Sequence, residues 1–342
     1  MRVAQIMAGA PAGGAELFFE RLSIALAGAG EEVLPVIRRN TARAERLRTA
    51  GLRPIELGFG GALGLTTRWR LRTVLRRFKA RVAVAWMGRA AAAAPRGDWV
   101  LVGRLGGTYD LRRFRRCDHL VANTQGLVRW ITDQGWPARR VQYLPNFVPD
   151  LGQAEPMSRA ALGLPASARM VLGLGRLHPD KAFDILIRAM ALLAGVHLVV
   201  AGEGPEREAL AALAERLGLS ERVHLLGWRE DTGGLLRRAD ALVCASRLEP
   251  LGNVIIEGWA ARRPVIAAAA AGPRELIRIG EDGMLVPIDD PFAIAEAIRC
   301  VLEDQGRASA LAVAGRVRYE TEFSEQPVLA RWREFLAHVE KP

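Results

Sequence analysis

Short apolar runs without strict alternation, separated by stretches of helical spacing, recur through this 342-residue chain. A strand with one solvated face alternates polar and apolar residues. Unbroken apolar runs belong instead to parallel strands covered on both faces. Val3 to Ala8, Glu32 to Ile37, Arg81 to Trp86, Trp99 to Gly103 and His119 to Ala122 are such runs, and Ala15 to Leu26 has helical spacing. Pro145, Pro149, Pro156 and Pro165 then punctuate residues 145–168, the best position for a linker and hinge. Beyond it the grammar restarts. Met170 to Gly173, Val196 to Val200, Val223 to Leu226, Ala241 to Cys244 and Val265 to Ala268 read as strands, with helices over Asp184 to Leu193 and Asn253 to Ala261. A chain of this length fills two cores better than one. The expected fold is α/β with two tandem Rossmann-like domains, over 1–150 and 151–325. Residues 326–342 form a closing helix that is free to pack back on the first domain.

Half of the residues are apolar and a quarter charged, a globular balance. Cys117, Cys244 and Cys300 lie far apart, which excludes a disulfide framework and a zinc cluster; the first two read as buried apolar residues. Met1 to Ala12 reads as a strand and turn rather than a signal peptide. No window approaches the ~20 apolar residues of a spanning helix. The expected location is the cytoplasm, peripheral to the inner face of the membrane. The net charge of +11 is uneven: +14 over residues 1–150 and −3 over 151–342. That asymmetry calls for an anionic surface or substrate facing the first half.

Three loops in the second half carry chemistry. In Glu249-Pro250-Leu251-Gly252-Asn253-Val254-Ile255-Ile256-Glu257, one carboxylate falls in the loop after a strand and another about one turn into the next helix. The first suits sugar hydroxyls, and the second a ribose diol. Gly252 permits close backbone approach, and the helix start offers free N–H groups. Alone, such a pair reads more readily as solvated surface carboxylates. Arg176 and Lys181 flank the loop Gly175-Arg176-Leu177-His178-Pro179-Asp180-Lys181 after another strand; two cations there suit a diphosphate, or simply a solvated loop. In Gly272-Pro273-Arg274-Glu275, the glycine lets main-chain groups reach a ligand, and Glu275 is expected to open a helix.

Taken together, Gly175-Arg176-Leu177…Lys181, Ala201-Gly202-Glu203-Gly204-Pro205, the Glu249–Glu257 pair and Gly272…Glu275 resemble the large retaining glycosyltransferase family with two Rossmann domains (family 4, GT-B type). Gly13-Gly14-Ala15-Glu16 and Pro145-Asn146-Phe147 match as well. The resemblance implies a nucleoside diphosphate sugar donor, UDP- or GDP-linked, bound between the domains. It also implies a lipid-linked, lipopolysaccharide or polysaccharide hydroxyl as acceptor, and no cofactor or metal. The chain offers no Asp-x-Asp where a metal-dependent transferase carries one. Arg176 and Lys181 would then neutralise the diphosphate, Glu249 would orient the donor sugar, and Glu257 would hold the ribose. Gly13, Gly14, Gly252, Asn253, Gly272 and Glu275 would complete the donor site. Many relatives carry a histidine after the strand matching Val100–Gly103. Here that loop reads Arg104-Leu105-Gly106-Gly107-Thr108-Tyr109, so Arg104 or Tyr109 is the candidate substitute or acceptor-side residue.

Thr66 to Arg81 reads as a basic amphipathic helix, with Leu71, Val74, Leu75 and Phe78 on one stripe; Arg112, Arg113, Arg115 and Arg116 form a second basic cluster. Such a helix suits an anionic membrane surface, contacted by arginines, or packs as an ordinary outer helix. An anionic acceptor would explain the same charge. A twin-Rossmann sugar-nucleotide epimerase is the alternative enzyme, but the first half offers no convincing acid–base set. Nucleic-acid binding lacks a zinc spacing, an aromatic ladder or a recognised module.

Overall fold

The computed structural model of the chain describes residues 1–10, 13–59 and 64–340. It divides into two compact units: Met1–Phe147 with Glu325–Pro342, and Val148–Ser324. Each is a parallel sheet with helices on both faces, the expected α/β class with two Rossmann-like halves.

In the first unit the chain runs β1 (Arg2–Met7), α1 (Gly14–Gly28), β2 (Glu32–Arg38), α2 (Thr41–Thr49), β3 (Ile55–Leu57), α3 (Gly64–Phe78), β4 (Val82–Trp86) and α4 (Met87–Ala93). It continues through β5 (Val100–Leu105), β6 (His119–Ala122), α5 (Gln125–Asp133) and β7 (Val141–Tyr143). The seven strands lie in the order β3-β2-β1-β4-β5-β6-β7. In the second unit it runs β8 (Arg169–Leu174), α6 (Phe183–Met190), β9 (Val196–Ala201), α7 (Arg207–Arg216), β10 (Val223–Leu225), α8 (Thr232–Arg238) and β11 (Ala241–Cys244). There follow α9 (Asn253–Ala260), β12 (Val265–Ala268), α10 (Ala271–Leu276), β13 (Met284–Val286), α11 (Pro291–Glu303) and α12 (Gln305–Arg318). These six strands lie in the order β10-β9-β8-β11-β12-β13. The last helix, α13 (Glu325–Val339), belongs to the first unit, where Trp332 and Leu336 share a buried cluster with Phe18, Phe19 and Trp86.

Both sheets are buried on two faces, which is why their strands carry apolar residues at successive positions. Val82 to Trp86 are all fully buried. Helix starts follow local chemistry. Asn40, Thr124, Asp290 and Asp304 accept backbone N–H bonds at the starts of α2, α5, α11 and α12. Cys117 and Cys244 are buried.

Three features differ from expectation. The proline-punctuated stretch packs into the second unit, burying Val148, Leu162, Leu164 and Ala168 in its core. The short strands β3, β7 and β13, at sheet edges, are not legible as apolar runs. Helix α10 begins at Ala271, so Glu275 lies near its end instead of opening it. The backbone turns helical two residues after β12, and Gly272, in the first turn, bonds to the neighbouring loop.

Candidate donor site at the second sheet and a cavity at the first

In an open parallel sheet, ligands bind beyond the carboxyl ends of the strands, where the strand order reverses. In the second unit that switch lies between β8 and β11. The β8 strand ends in the Gly175–Lys181 loop, and β11 ends in the loop carrying Glu249. The two loops are 68 residues apart in sequence and touch: Lys181 Nζ lies 2.5 Å from Glu249 Oε2. The other Glu249 oxygen accepts the Gly252 N–H at 3.1 Å, so both lobes of this buried carboxylate are held. Arg176 is exposed on the β8 loop and has no hydrogen-bond or ion-pair partner among the described residues.

Arg247, which sequence reasoning did not single out, ties the two loops together. Its guanidinium donates to both Asp184 oxygens at 2.9 and 2.8 Å and to the Pro179 carbonyl at 2.8 Å, and lies 2.6 Å from Asp289. Its backbone N–H donates to the Asp180 carbonyl at 2.8 Å. Hydrogen bonding to Asp184 raises the Arg247 pKa. Burial pushes the Asp184 carboxyl up, but the Arg247 hydrogen bond and charge outweigh it, and the carboxyl titrates below its ordinary value. The nearby His178 accepts from the Asp180 N–H at 3.3 Å and starts the short turn that carries Lys181.

Two glycine loops buttress this frame from behind. A Cβ at Gly202 would overlap the Gly175 carbonyl, 2.7 Å from its carbon, and one at Gly204 would lie 2.7 Å from the Leu177 carbonyl carbon. Because neither has a side chain, the Glu203 carbonyl can accept from the Leu177 N–H at 2.9 Å and the Ala201 carbonyl from Gly175 at 3.1 Å. Gly272 plays the same part on the other side. Its N–H donates to the Glu249 carbonyl at 2.8 Å, and a Cβ there would lie 2.7 Å from that oxygen.

Gly252, at φ +99°, precedes α9 in the left-handed region that glycine tolerates. Asn253 opens the helix, and half-buried Glu257 sits one turn further in. Glu275 is half-buried on α10. Gly13 precedes α1 with extended backbone, and Gly14 is the first residue of that helix. Pro11 and Ala12, in the same expected turn, lie outside the described residues.

Residues 168–304 match the family of Glycosyl transferases group 1. The whole chain is similar to a lipopolysaccharide core biosynthesis glycosyltransferase, LpsE, of Rhizobium meliloti: 35% identity over 334 residues, covering 95% of this chain and 96% of the relative. A second, LpsD of the same organism, is 35% identical and covers 92% of each chain. The chain belongs to the group 1 glycosyltransferases. Among solved structures, Anabaena HepE in complex with UDP and glucose superposes with a TM-score of 0.86 at 23% identity, over 99% of this chain and 100% of that one. Such likeness shows the fold, the twin-Rossmann GT-B type.

The first unit of this glycosyltransferase has its own switch point, between β1 and β4. A cavity of about 730 Å³ lies there, lined by Gly9, Glu16, Arg89, Tyr109 and Arg113 among others. The β1 loop under it is held from three sides. The Ala10 N–H donates to Glu16 at 2.7 Å, Arg43 to the Ala10 carbonyl at 3.1 Å, and Arg89 to the Ala8 carbonyl at 3.1 Å. Tyr109 faces this cavity; burial raises its phenol pKa, opposed by the Arg104 charge. Arg104 itself is turned inward and only 1% exposed. It donates to Asn146 and lies over the Phe18 and Trp86 rings at 5.5 and 5.0 Å. Burial pulls its pKa down to about 10. Arg104 is therefore built into the packing under the transferase's cavity, and Tyr109 is the one of this pair that meets it. His119 packs edge-on against Phe335.

Among the described residues, no group of three or more His, Cys, Asp or Glu converges as metal ligands would, and no helix is long and apolar enough to cross a membrane. In α3, Leu71 and Leu75 are fully buried, while Trp69 is 69% exposed beside the arginines. The apolar stripe is thus spent on the first unit's core. Trp69 and the cationic face are open.

Proposed function

We propose that this chain transfers a glycosyl unit from a nucleoside diphosphate sugar, UDP- or GDP-linked, to a hydroxyl of a lipopolysaccharide-core or other lipid-linked polysaccharide precursor. Transfer proceeds with retention at the anomeric carbon and needs no metal. The observation that carries the reading is the meeting of Lys181 with Glu249 at the β8/β11 switch point, beside an Arg176 that has no partner among the described residues. Lys181 is charge-balanced by Glu249, so Arg176 contributes the excess positive charge that a diphosphate requires. As the bond to the sugar breaks, negative charge grows on the β-phosphate. Fixed cations lower the barrier to the extent that they hold that charge better than the ground state's. Glu249, whose carboxylate is held at both oxygens, orients the donor sugar. Glu257 accepts from the ribose hydroxyls. Gly252, Asn253, Gly272 and Glu275 complete the donor's surroundings on this unit.

The relatives LpsE and LpsD, named for lipopolysaccharide core biosynthesis, support that class of acceptor. HepE, which holds UDP and glucose, makes UDP the first donor base to test. Trp69 and the arginines of α3 suit peripheral contact with an anionic inner membrane face.

The test is thermal stabilisation and turnover. A donor that binds only the folded state raises the melting temperature. UDP-sugars are expected to do so with EDTA present, and Arg176→Gln/Lys181→Gln to abolish the rise and cut kcat/KM by about two orders of magnitude or more. A double variant at full rate overturns the donor assignment. Loss of turnover in EDTA overturns metal independence, and an inverted anomeric configuration in the product overturns retention.

A further inference from the structure

Behind the first unit's cavity, on its arginine-rich side, lies a depression of about 280 Å³ whose lining is Ala92 with Arg68, Arg112, Arg113, Arg115 and Arg116. Five guanidinium groups around so small a space repel one another unless an anion sits among them. The protein supplies little compensation. Asp110 pairs with Arg112 at 3.0 Å, but among the described residues Arg68, Arg113, Arg115 and Arg116 have no ion-pair partner. The cluster is nevertheless fixed in place. Arg68 and Arg116 both donate to the Ala92 carbonyl, at 3.3 and 3.0 Å, and Arg96 donates to the carbonyls of Arg116 and Arg115 at 3.1 and 3.3 Å. The Arg68 Nε is buried with no acceptor among the described residues. Burial, and then the charges of Arg68, Arg115 and Arg96, lower the pKa of Arg116. This is an assembled cationic pocket, unlike a loose basic surface.

Arg113 lines both this depression and the ≈ 730 Å³ cavity at the β1/β4 switch point, so the two adjoin. The larger space has the size of a small-ligand site and mixes carboxylate, phenol and arginine, as hydroxyl-rich ligands require. The smaller offers only guanidinium donors, whose fork geometry matches phosphate oxygens.

We propose that the arginine depression binds a phosphate group carried by the acceptor saccharide, whose sugar portion occupies the adjoining cavity, with Arg113 between them. This rests on the glycosyltransferase reading above and narrows its acceptor to a phosphorylated saccharide. It also accounts for the +14 charge of residues 1–150 without requiring the apolar face of α3 to leave its core.

The test uses the full chain and three soluble probes, inorganic phosphate, glucose 6-phosphate and glucose, by isothermal titration calorimetry. Glucose 6-phosphate is expected to bind more tightly than phosphate, and glucose alone not at all at the same concentrations. Arg112→Gln/Arg115→Gln, at two exposed positions, is expected to weaken both phosphate ligands at least about tenfold. Arg113→Gln is expected to abolish the advantage of glucose 6-phosphate over phosphate. The melting temperature rise given by UDP should be unchanged in every variant, because none of the residues proposed to hold the donor lines the depression. Equal binding by wild type and variants, or no binding of either phosphate, overturns the proposal. So does a chain that ignores soluble phosphates but sediments with phosphatidylglycerol vesicles through Arg112 and Arg115, since the pocket then serves a lipid headgroup. A wild-type chain that binds glucose 6-phosphate through Arg113 but is not stabilised by UDP keeps this site and sinks the donor reading instead.

Discussion

Gly202→Ala is a sharp test of how the donor loop is built. The added Cβ would lie 2.7 Å from the Gly175 carbonyl carbon and overlap its oxygen, both of them backbone atoms. Restoring an ordinary carbon contact of ~3.5 Å requires about 1 Å of displacement. The backbone at φ +154° adds strain for any side chain. Overpacking and strain of this kind each cost about 1–3 kcal/mol. The expected destabilisation is therefore about 2–6 kcal/mol, a fall in melting temperature of roughly 4–24 °C for a unit of this size. The Gly175 loop, which carries Arg176 and Lys181, must absorb the shift. Misplacement by 1 Å costs on the order of 100-fold in rate, so kcat/KM with a UDP-sugar should fall by about that much even below the variant's melting point. Gly218→Ala is the matched control: its φ is +67° and nothing lies within 4 Å of the added Cβ, so only backbone strain of ~1 kcal/mol is expected, with turnover unchanged. If Gly202→Ala melts with wild type and turns over within threefold of it, the loop is not held by backbone contact and this account of the site fails.

Two further outcomes follow from the second unit. Arg247→Ala removes four contacts that tie the β11 loop to the β8 loop at Pro179, to α6 at Asp184 and to Asp289 after β13, so kcat/KM should fall at least about tenfold while the chain stays folded by circular dichroism; a variant with wild-type kinetics would mean that Lys181 and Glu249 need no such tie. His197 on β9 and His224 on β10 stack with ring centroids 5.5 Å apart and a 3.2 Å hydrogen bond between His197 Nδ1 and His224 Nε2, and both titrate below the ordinary histidine value, His197 through burial and then Arg222, His224 through burial and then His197. As pH falls below about 6.5 the unfolded chain takes up protons before the folded one, so their stabilising contribution is complete above that pH and declines beneath it. The melting temperature should drop between about pH 7 and pH 5, and His197→Gln/His224→Gln should flatten that drop; an unchanged pH slope would rule the pair out as its source.

Much of this protein is settled by short-range pattern. Apolar runs such as Val265 to Ala268 read as strands covered on both faces, and Pro291 behind Asp290 can start a helix, because propensity, capping and burial act within a few residues. The loops that follow β8 and β11 were legible for the same reason, and so were the residue types at Arg176, Lys181, Glu249 and Glu257. Strand order was not. Whether β8 lies beside β11 is a choice among packings, and it alone brings Lys181 to Glu249 across 68 residues of sequence. Gly202, Gly204 and Gly272 were visible as motif glycines, yet only tertiary contact reveals that each makes room for another loop's backbone. The start of α10 at Ala271, which puts Glu275 near its end, likewise became visible only in the fold. Arg247 carried no local signal, since its four acceptors come from Pro179, Asp184 and Asp289. Arg104 and Tyr109 looked interchangeable in sequence, and burial separated them. The arginines from 112 to 116 announced charge, but their convergence with Arg68 beside the first cavity depends on the packing of α3 and α4, which no nearby residue encodes.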